Sequence, residues 1–312
     1  MFEILSAIAT IFTLILLGAG LRIKSVPSEE YWLYADKLVY WILFPAFLFY
    51  KTSTLSIDID VMWPIAQTLL VGMFAAVLFA WVSSHWSGIN AKACSSIVQG
   101  AGRHNTFIAL AIAESLFGEH GLIIATLAIA VLIPVTNLLI VTSLVIILNK
   151  GHDQLLRKIG GDLVRNPILL AIAAGFVANA LDFKHILVLH EVARLLGSAT
   201  LPVVLLCIGA SLRLEHLQQA SKALWLSSLG KFVVFPLVVL LAVKLTGLSP
   251  DIAIILLFFA AAPTAASSFA LARQMGGDYQ LMATLITHQT LISFFTLPLT
   301  IYFAARLLGV AL

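Results

Sequence analysis

Apolar runs of the length a bilayer requires recur along this chain, separated by short polar spacers. A helix needs roughly 20 mostly apolar residues to cross about 30 Å of hydrocarbon. Ten stretches meet that need, near Phe2–Leu21, Tyr31–Tyr50, Val61–Val82, Lys92–Phe117, Gly121–Leu148, Arg165–Leu181, Ile186–Leu212, Leu224–Leu245, Ile252–Met275 and Tyr279–Leu307. Inside lipid every backbone N–H and C=O must be paired within its own segment, so the stretches are read as helices. The pattern predicts an all-α membrane protein of ten transmembrane helices, with no spacer long enough for a separate soluble domain. Composition agrees: 61% of residues are hydrophobic and 11% charged, far from the average of soluble domains.

Two spans depart from the apolar pattern at their middles. The fourth contains Gly100-Ala101-Gly102-Arg103-His104-Asn105-Thr106, and the ninth contains Ala262-Pro263-Thr264-Ala265-Ala266-Ser267-Ser268. An arginine at the bilayer centre costs about 3 kcal/mol even on the lenient insertion scale, so it is expected to face a cavity and to carry function. Pro263 has no N–H, and its ring crowds the carbonyl of Phe259, which forces a kink or break. In the fourth span Gly100 and Gly102 are read as weakening the helix, and Asn105 as the N-cap of a new segment. Each second half-helix then presents unpaired N–H groups and a partial positive charge towards mid-membrane, an arrangement that attracts a small anion.

The spans fall into two halves of five, giving three parts: 1–148, a linker at 149–164, and 165–312. An odd number of spans per half inserts the halves in opposite directions, the inverted-repeat arrangement. Three ordered matches support a repeat. Lys37 precedes Pro45 by eight residues and Arg194 precedes Pro202 by eight; Ile124-Ala125-Thr126-Leu127 and Met282-Ala283-Thr284-Leu285 lie 158 positions apart; and the two broken spans immediately precede those segments.

Charge sets the expected orientation. One set of alternate loops holds ten of the 18 Lys and Arg residues, the other five. The richer side, which includes the linker, is expected to be cytoplasmic, with both termini outside. The first span lacks a basic leader and reads as uncleaved. The net charge of +3 is spread over loops and predicts no nucleic-acid partner. Cys94 and Cys207 read as packing residues, and no metal or cofactor is expected beyond a coupling ion, H+ or Na+.

Arg103, Asn105, Thr106, Pro263, Thr264, Ser267 and Ser268 are the candidate substrate-binding residues, the guanidinium being suited to a carboxylate. His288 and Gln289 in the tenth span join them, although His288 is equally open to a packing role. Asn137 is a weaker candidate. Lys37 and Lys231 read as snorkelling towards the cytoplasmic side.

With these residues in view, the chain resembles the auxin efflux carrier family. The resemblance rests on Leu43-Phe44-Pro45-Ala46, Asn105-Thr106, Arg165-Asn166-Pro167, Leu201-Pro202 followed by Ile208-Gly209-Ala210-Ser211-Leu212, and the Pro263 break. It implies a scaffold of spans 1, 2, 6 and 7, and a transport domain of spans 3–5 and 8–10 around crossed helices 4 and 9. It further implies an elevator-type carrier, commonly a homodimer in the bilayer, whose substrates are small organic anions such as auxin or dicarboxylates. The crossing asparagine corresponds to Asn105 and the crossing proline to Pro263. Two departures stand out: Ala109-Leu110-Ala111 replaces the family's proline-containing segment, predicting a less sharply broken fourth helix, and the polar residue after the ninth-span proline is either Ser267 or Ser268.

A secondary carrier of a small organic anion, working by alternating access in the bacterial inner membrane, is the expected function. The alternative is a receptor on a carrier fold that binds the anion without moving it. An enzyme is not expected: neither a His-Glu-x-x-His element nor a phosphate-binding Gly-x-x-x-x-Gly-Lys-Ser/Thr loop occurs.

Overall fold

The computed structural model describes residues 2–54, 59–149, 165–181, 187–213 and 221–310. The linker basic residues Lys150, Arg157 and Lys158, together with Asp58 and Lys184, lie outside them. Every regular element among the described residues is helical. In order these are α1 (Phe2–Ile23), α2 (Glu29–Leu38), α3 (Phe44–Thr54), α4 (Ile59–Trp86), α5 (Ala91–Gly102), α6 (Thr106–Ile147) and α7 (Pro167–Ala180). They continue with α8 (Leu187–Ser198), α9 (Thr200–Ser211), α10 (Lys222–Leu229), α11 (Phe235–Thr246), α12 (Pro250–Ala261), α13 (Ser267–Met275) and α14 (Tyr279–Leu308).

Short polar side chains start these helices. Asn90 Oδ1 accepts the N–H of Ala93 at 3.0 Å, and Asn166 Oδ1 accepts that of Ile168 at 2.9 Å, with Pro167 at the first helical position. Asp278 Oδ1 accepts from Leu281 at 2.9 Å at the start of α14. Each supplies an acceptor to the orphan amides of a first turn. Two prolines are accommodated differently. Wide π turns at Val39–Leu43 and Gly230–Val234 run directly into Phe44-Pro45 and Phe235-Pro236. A proline cannot donate to the ladder, and a π turn takes up the mismatch without ending the helix.

Among the described residues seven helical stretches are long and apolar enough to cross a membrane, and α7 and α12 are shorter apolar helices. The stretch Ala91–Ile147 covers 57 residues. It is not one rod: Arg103–Asn105 interrupts it, and Gly118 stands at φ 55°, ψ −134° within α6. Large apolar side chains stay uncovered on the helices, among them Phe74, Leu78 and Trp81 of α4 and Phe295, Leu299 and Phe303 of α14. That is the surface a helix presents to acyl chains. The chain is a multi-pass helical membrane protein.

It divides into two compact units. The first comprises Met1–Ala9, Asp60–Ile159 and Leu212–Leu312; the second comprises Thr10–Ile59 and Gly160–Ser211. In the second unit α3 packs along α7, where Thr52 fills the space left by the missing side chain of Gly175. A Cβ at Gly209 of α9 would overlap the Ile15 carbonyl of α1, so backbone rests on backbone there. In the first unit Val77 and Ala80 of α4, Ile97, Val98 and Ala101 of α5, and Ile140 and Leu144 of α6 share one core. The end of α6 therefore folds back along α5.

Candidate anion site at the helix crossing

The two interruptions meet. The backbone N–H of Asn105, between α5 and α6, donates to the carbonyl of Pro263, between α12 and α13, at 2.6 Å. The segments run in opposite directions past this point. Lys92 at the start of α5 accepts from the N–H of Asp278 beyond α13, whereas His120 of α6 pairs with Asp251 in the first turn of α12 at 2.6 Å. Two half-helices, α6 and α13, thus begin at the crossing, and α5 and α12 end there.

The break in the fourth span is complete. Arg103 and Asn105 are extended (φ −75°, ψ 147° and φ −82°, ψ 98°), and Asn105 Oδ1 caps α6 by accepting from Phe107 at 3.1 Å and Ile108 at 3.2 Å. This corrects the expectation of a weaker break at Ala109-Leu110-Ala111, which is plain buried helix: the cap does the work a proline was expected to do. Gly100 and Gly102 also do something other than weaken a helix. Both lie inside α5, and a Cβ would strike Ser227 at the first and Val77 at the second, so their smallness permits close packing.

In the ninth span Ala262 to Ala266 are out of helix, and their polar groups are taken up one by one. The Thr264 N–H donates to Gln289 Oε1 at 3.0 Å, and Gln289 Nε2 donates to Ser227 Oγ at 3.1 Å. Ser227 in turn donates to the carbonyl of Ile97 at 3.2 Å. Thr264 Oγ1 lies 3.4 Å from both the Gln99 carbonyl and Ser268 Oγ. Gln289 therefore ties the ninth-span break to α10 with both ends of its amide.

Arg103 is half-buried and spans the breaks with its fork. One terminal nitrogen donates to Ser267 Oγ, at the start of α13, at 3.0 Å; the other reaches Asn137 Oδ1 of α6 at 3.5 Å. Ser267 is exposed and Ser268 wholly buried, which separates the two serines by access. Thr106 is half-buried in the first turn of α6. With its oxygen committed to the cap, Asn105 has its Nδ2 donor left to offer. Arg103, Asn105, Thr106, Pro263, Thr264, Ser267 and Ser268 are thus brought together. His288 is half-buried on α14 and its Nδ1 has no partner among the described residues; its neighbour Gln289 is the one that reaches the crossing.

Lys231 corrects an expectation. It does not snorkel: it is 0% exposed in the π turn before Phe235, with its ammonium over the Phe235 ring at 4.6 Å and no hydrogen-bond partner among the described residues. The signal in the sequence was its position deep within a span, five residues before a proline. Gln99 was passed over in the sequence for want of any motif around it, yet it is wholly buried at the crossing.

Arg103, the starts of α6 and α13 and the hydroxyls of Thr264, Ser267 and Ser268 lie together at the crossing of a multi-pass membrane protein. Donors of this kind at broken helices are the features of a carrier site. A family model described as "Membrane transport protein" matches residues 152–301. That stretch is similar to the auxin efflux carrier family domain, a domain of membrane transporters. No curated protein matches the chain.

Proposed function

We propose that this protein is a secondary carrier that moves a small organic anion, a carboxylate, by alternating access. The observation that carries the reading is the 2.6 Å bond from Asn105 to Pro263, which brings Arg103 and two half-helix N-termini to one place. Each N-terminus contributes roughly half a positive charge, so a carboxylate there meets two oriented dipoles and a guanidinium. Arg103 and Asn105 hold the anionic group, Thr106, Thr264, Ser267 and Ser268 complete its hydrogen bonds, Pro263 keeps the ninth helix open, and His288 and Gln289 flank the site.

Ten crossings as two inverted halves follow if α5 with the first part of α6, and α12 with α13, each count as one broken crossing. The opposite directions of these two segments support the inversion. The first unit gathers spans 3–5 and 8–10 and the second gathers most of span 1 with spans 2, 6 and 7, the grouping that an elevator movement of one unit against the other requires. A homodimer in the inner membrane, with both termini outside, completes the proposal.

The test is uptake by proteoliposomes of labelled acetate, succinate, citrate and indole-3-acetate. At least one acid should accumulate with the wild type, and Arg103→Ala and Asn105→Ala should each reduce its uptake at least tenfold. Uptake undiminished in Arg103→Ala would refute the anion anchor. Binding of an acid with no flux would favour a receptor.

A further inference from the structure

Behind the crossing lies a second pair of nitrogen groups that the anchor does not use. Lys231 is 0% exposed and its Nζ has no hydrogen-bond partner among the described residues; His104 is 5% exposed and its Nδ1 has none among them either. His104 stands next to Arg103 in the break at the end of α5, the helix against which the Lys231 turn packs. Its ring sits edge-on to Phe259 at 5.9 Å, while Lys231 lies over Phe235. Gly230, beside the lysine, is pressed against Ala101 and the Ala76–Phe79 turn of α4.

The Gly230–Val234 turn packs against α5, α10, α11 and α12 as well as α4. The titratable groups on those elements are Lys92 and Cys94 of α5, Lys222 of α10, Lys244 of α11, Asp251 of α12, and Asp60 and His85 of α4. Most stand at the far ends of their helices, and Cys94 lies two turns back from the break. Arg103 is directed at Ser267 and Asn137. His104, three residues beyond the Ala101 that meets Gly230, is the protonatable group whose charge acts together with that of Lys231.

A buried cation is tolerated when an anion faces it and is costly when none does. Neither Lys231 nor His104 is hydrogen-bonded to a carboxylate among the described residues. The negative charge that can balance this pair is the one arriving at the neighbouring crossing. An anion bound beside Arg103 therefore favours a proton on the pair, and its departure favours loss of that proton. By linkage the proton raises anion affinity by the same factor. The close packing on Phe235, Phe259 and Ala101 also fits a proton, which is the ligand that needs no added room.

We propose that Lys231, with His104, is the site at which the carrier takes up a proton together with its anion, so that transport is anion–proton symport. This rests on the carrier reading above and adds the coupling ion and its place. The experiment uses proteoliposomes containing pyranine as a lumenal pH indicator and the same four labelled acids. With the wild type, an inward acid gradient should acidify the lumen, and a lumen-alkaline pH gradient should speed uptake about tenfold.

Lys231→Arg fixes the charge, since a guanidinium does not release its proton, and Lys231→Met removes it. Both should keep anion-for-anion exchange within about threefold of wild type while losing the coupled acidification and the response to the pH gradient. His104→Gln, a milder change, should weaken the response in the same sense and serves if either lysine variant fails to reconstitute. Lysine or histidine variants with an unchanged proton-to-anion ratio overturn the proposal and leave the carrier reading standing. Wild-type uptake that moves no protons does the same. A wild type inert towards all four acids overturns both.

Discussion

At the scale of single residues, the crossing depends on side chains that have two partners each. Arg103 reaches Ser267 with one terminal nitrogen and Asn137 with the other. Lysine carries the same charge on a single nitrogen and lacks the planar fork. Charged hydrogen bonds contribute about 1.5–3 kcal/mol each; losing one to the bound anion predicts a fall in anion uptake of roughly 10–100-fold for Arg103→Lys. A reconstituted uptake assay at saturating and subsaturating acid checks this, and uptake within twofold of wild type would show that charge alone suffices. The breaks at Arg103–Asn105 and at Pro263 were legible in the sequence, because charge, cap and missing amide are properties of one residue type in an apolar run. The burial of Lys231 was not. Whether a lysine snorkels or is enclosed is decided by neighbours distant in sequence, here α4 and α5.

At the scale of elements, the open ninth helix is held by a relay from Thr264 through Gln289 and Ser227 to Ile97. Gln289 is wholly buried, so an apolar replacement strands the Thr264 amide, while Ser227 loses a donor but keeps its bond to Ile97. A stranded buried polar group costs about 1–3 kcal/mol. Gln289→Leu is therefore expected to lower the melting temperature in detergent by several degrees; an unchanged melting temperature would mean that the relay is dispensable. The sequence placed Gln289 among the groups around substrate because a polar residue in a span invites that role. The structure shows both ends of its amide engaged with protein. The same contrast holds for Gly100 and Gly102. In sequence a glycine in a helix reads as weakness, but the close approach of Ser227 and Val77 that uses it is visible only in three dimensions.

At the scale of the whole molecule, hydropathy sufficed for a helical membrane protein, since the length of an apolar run is a direct physical requirement of the bilayer. It places segment boundaries less well where helices are broken. Ala91–Ile147 is 57 residues of unbroken hydropathy, yet its path turns at Arg103–Asn105 and again at Gly118. The grouping of segments into two units, each assembled from separated stretches, reflects packing between remote parts of the chain, which no local pattern encodes. Orientation has its own check. Single cysteines introduced at Lys150 or Arg157, in an otherwise cysteine-free background, should react with a membrane-impermeant maleimide only from the cytoplasmic side. Labelling from outside would invert the topology.

The bond from Asn105 to Pro263 joins residues 158 positions apart, and this bears on the order in which the protein is made. The first half enters the bilayer with the amide of residue 105 unmet, in a medium that offers it no water. Its acceptor does not exist until the ribosome has produced most of the second half. The fourth span must wait, incompletely satisfied, for the ninth to insert beside it, and the crossing closes late in biogenesis as a single event. A polypeptide truncated before residue 263 therefore carries a hydrogen-bonding debt in its middle, and a separately synthesised second half supplies what settles it.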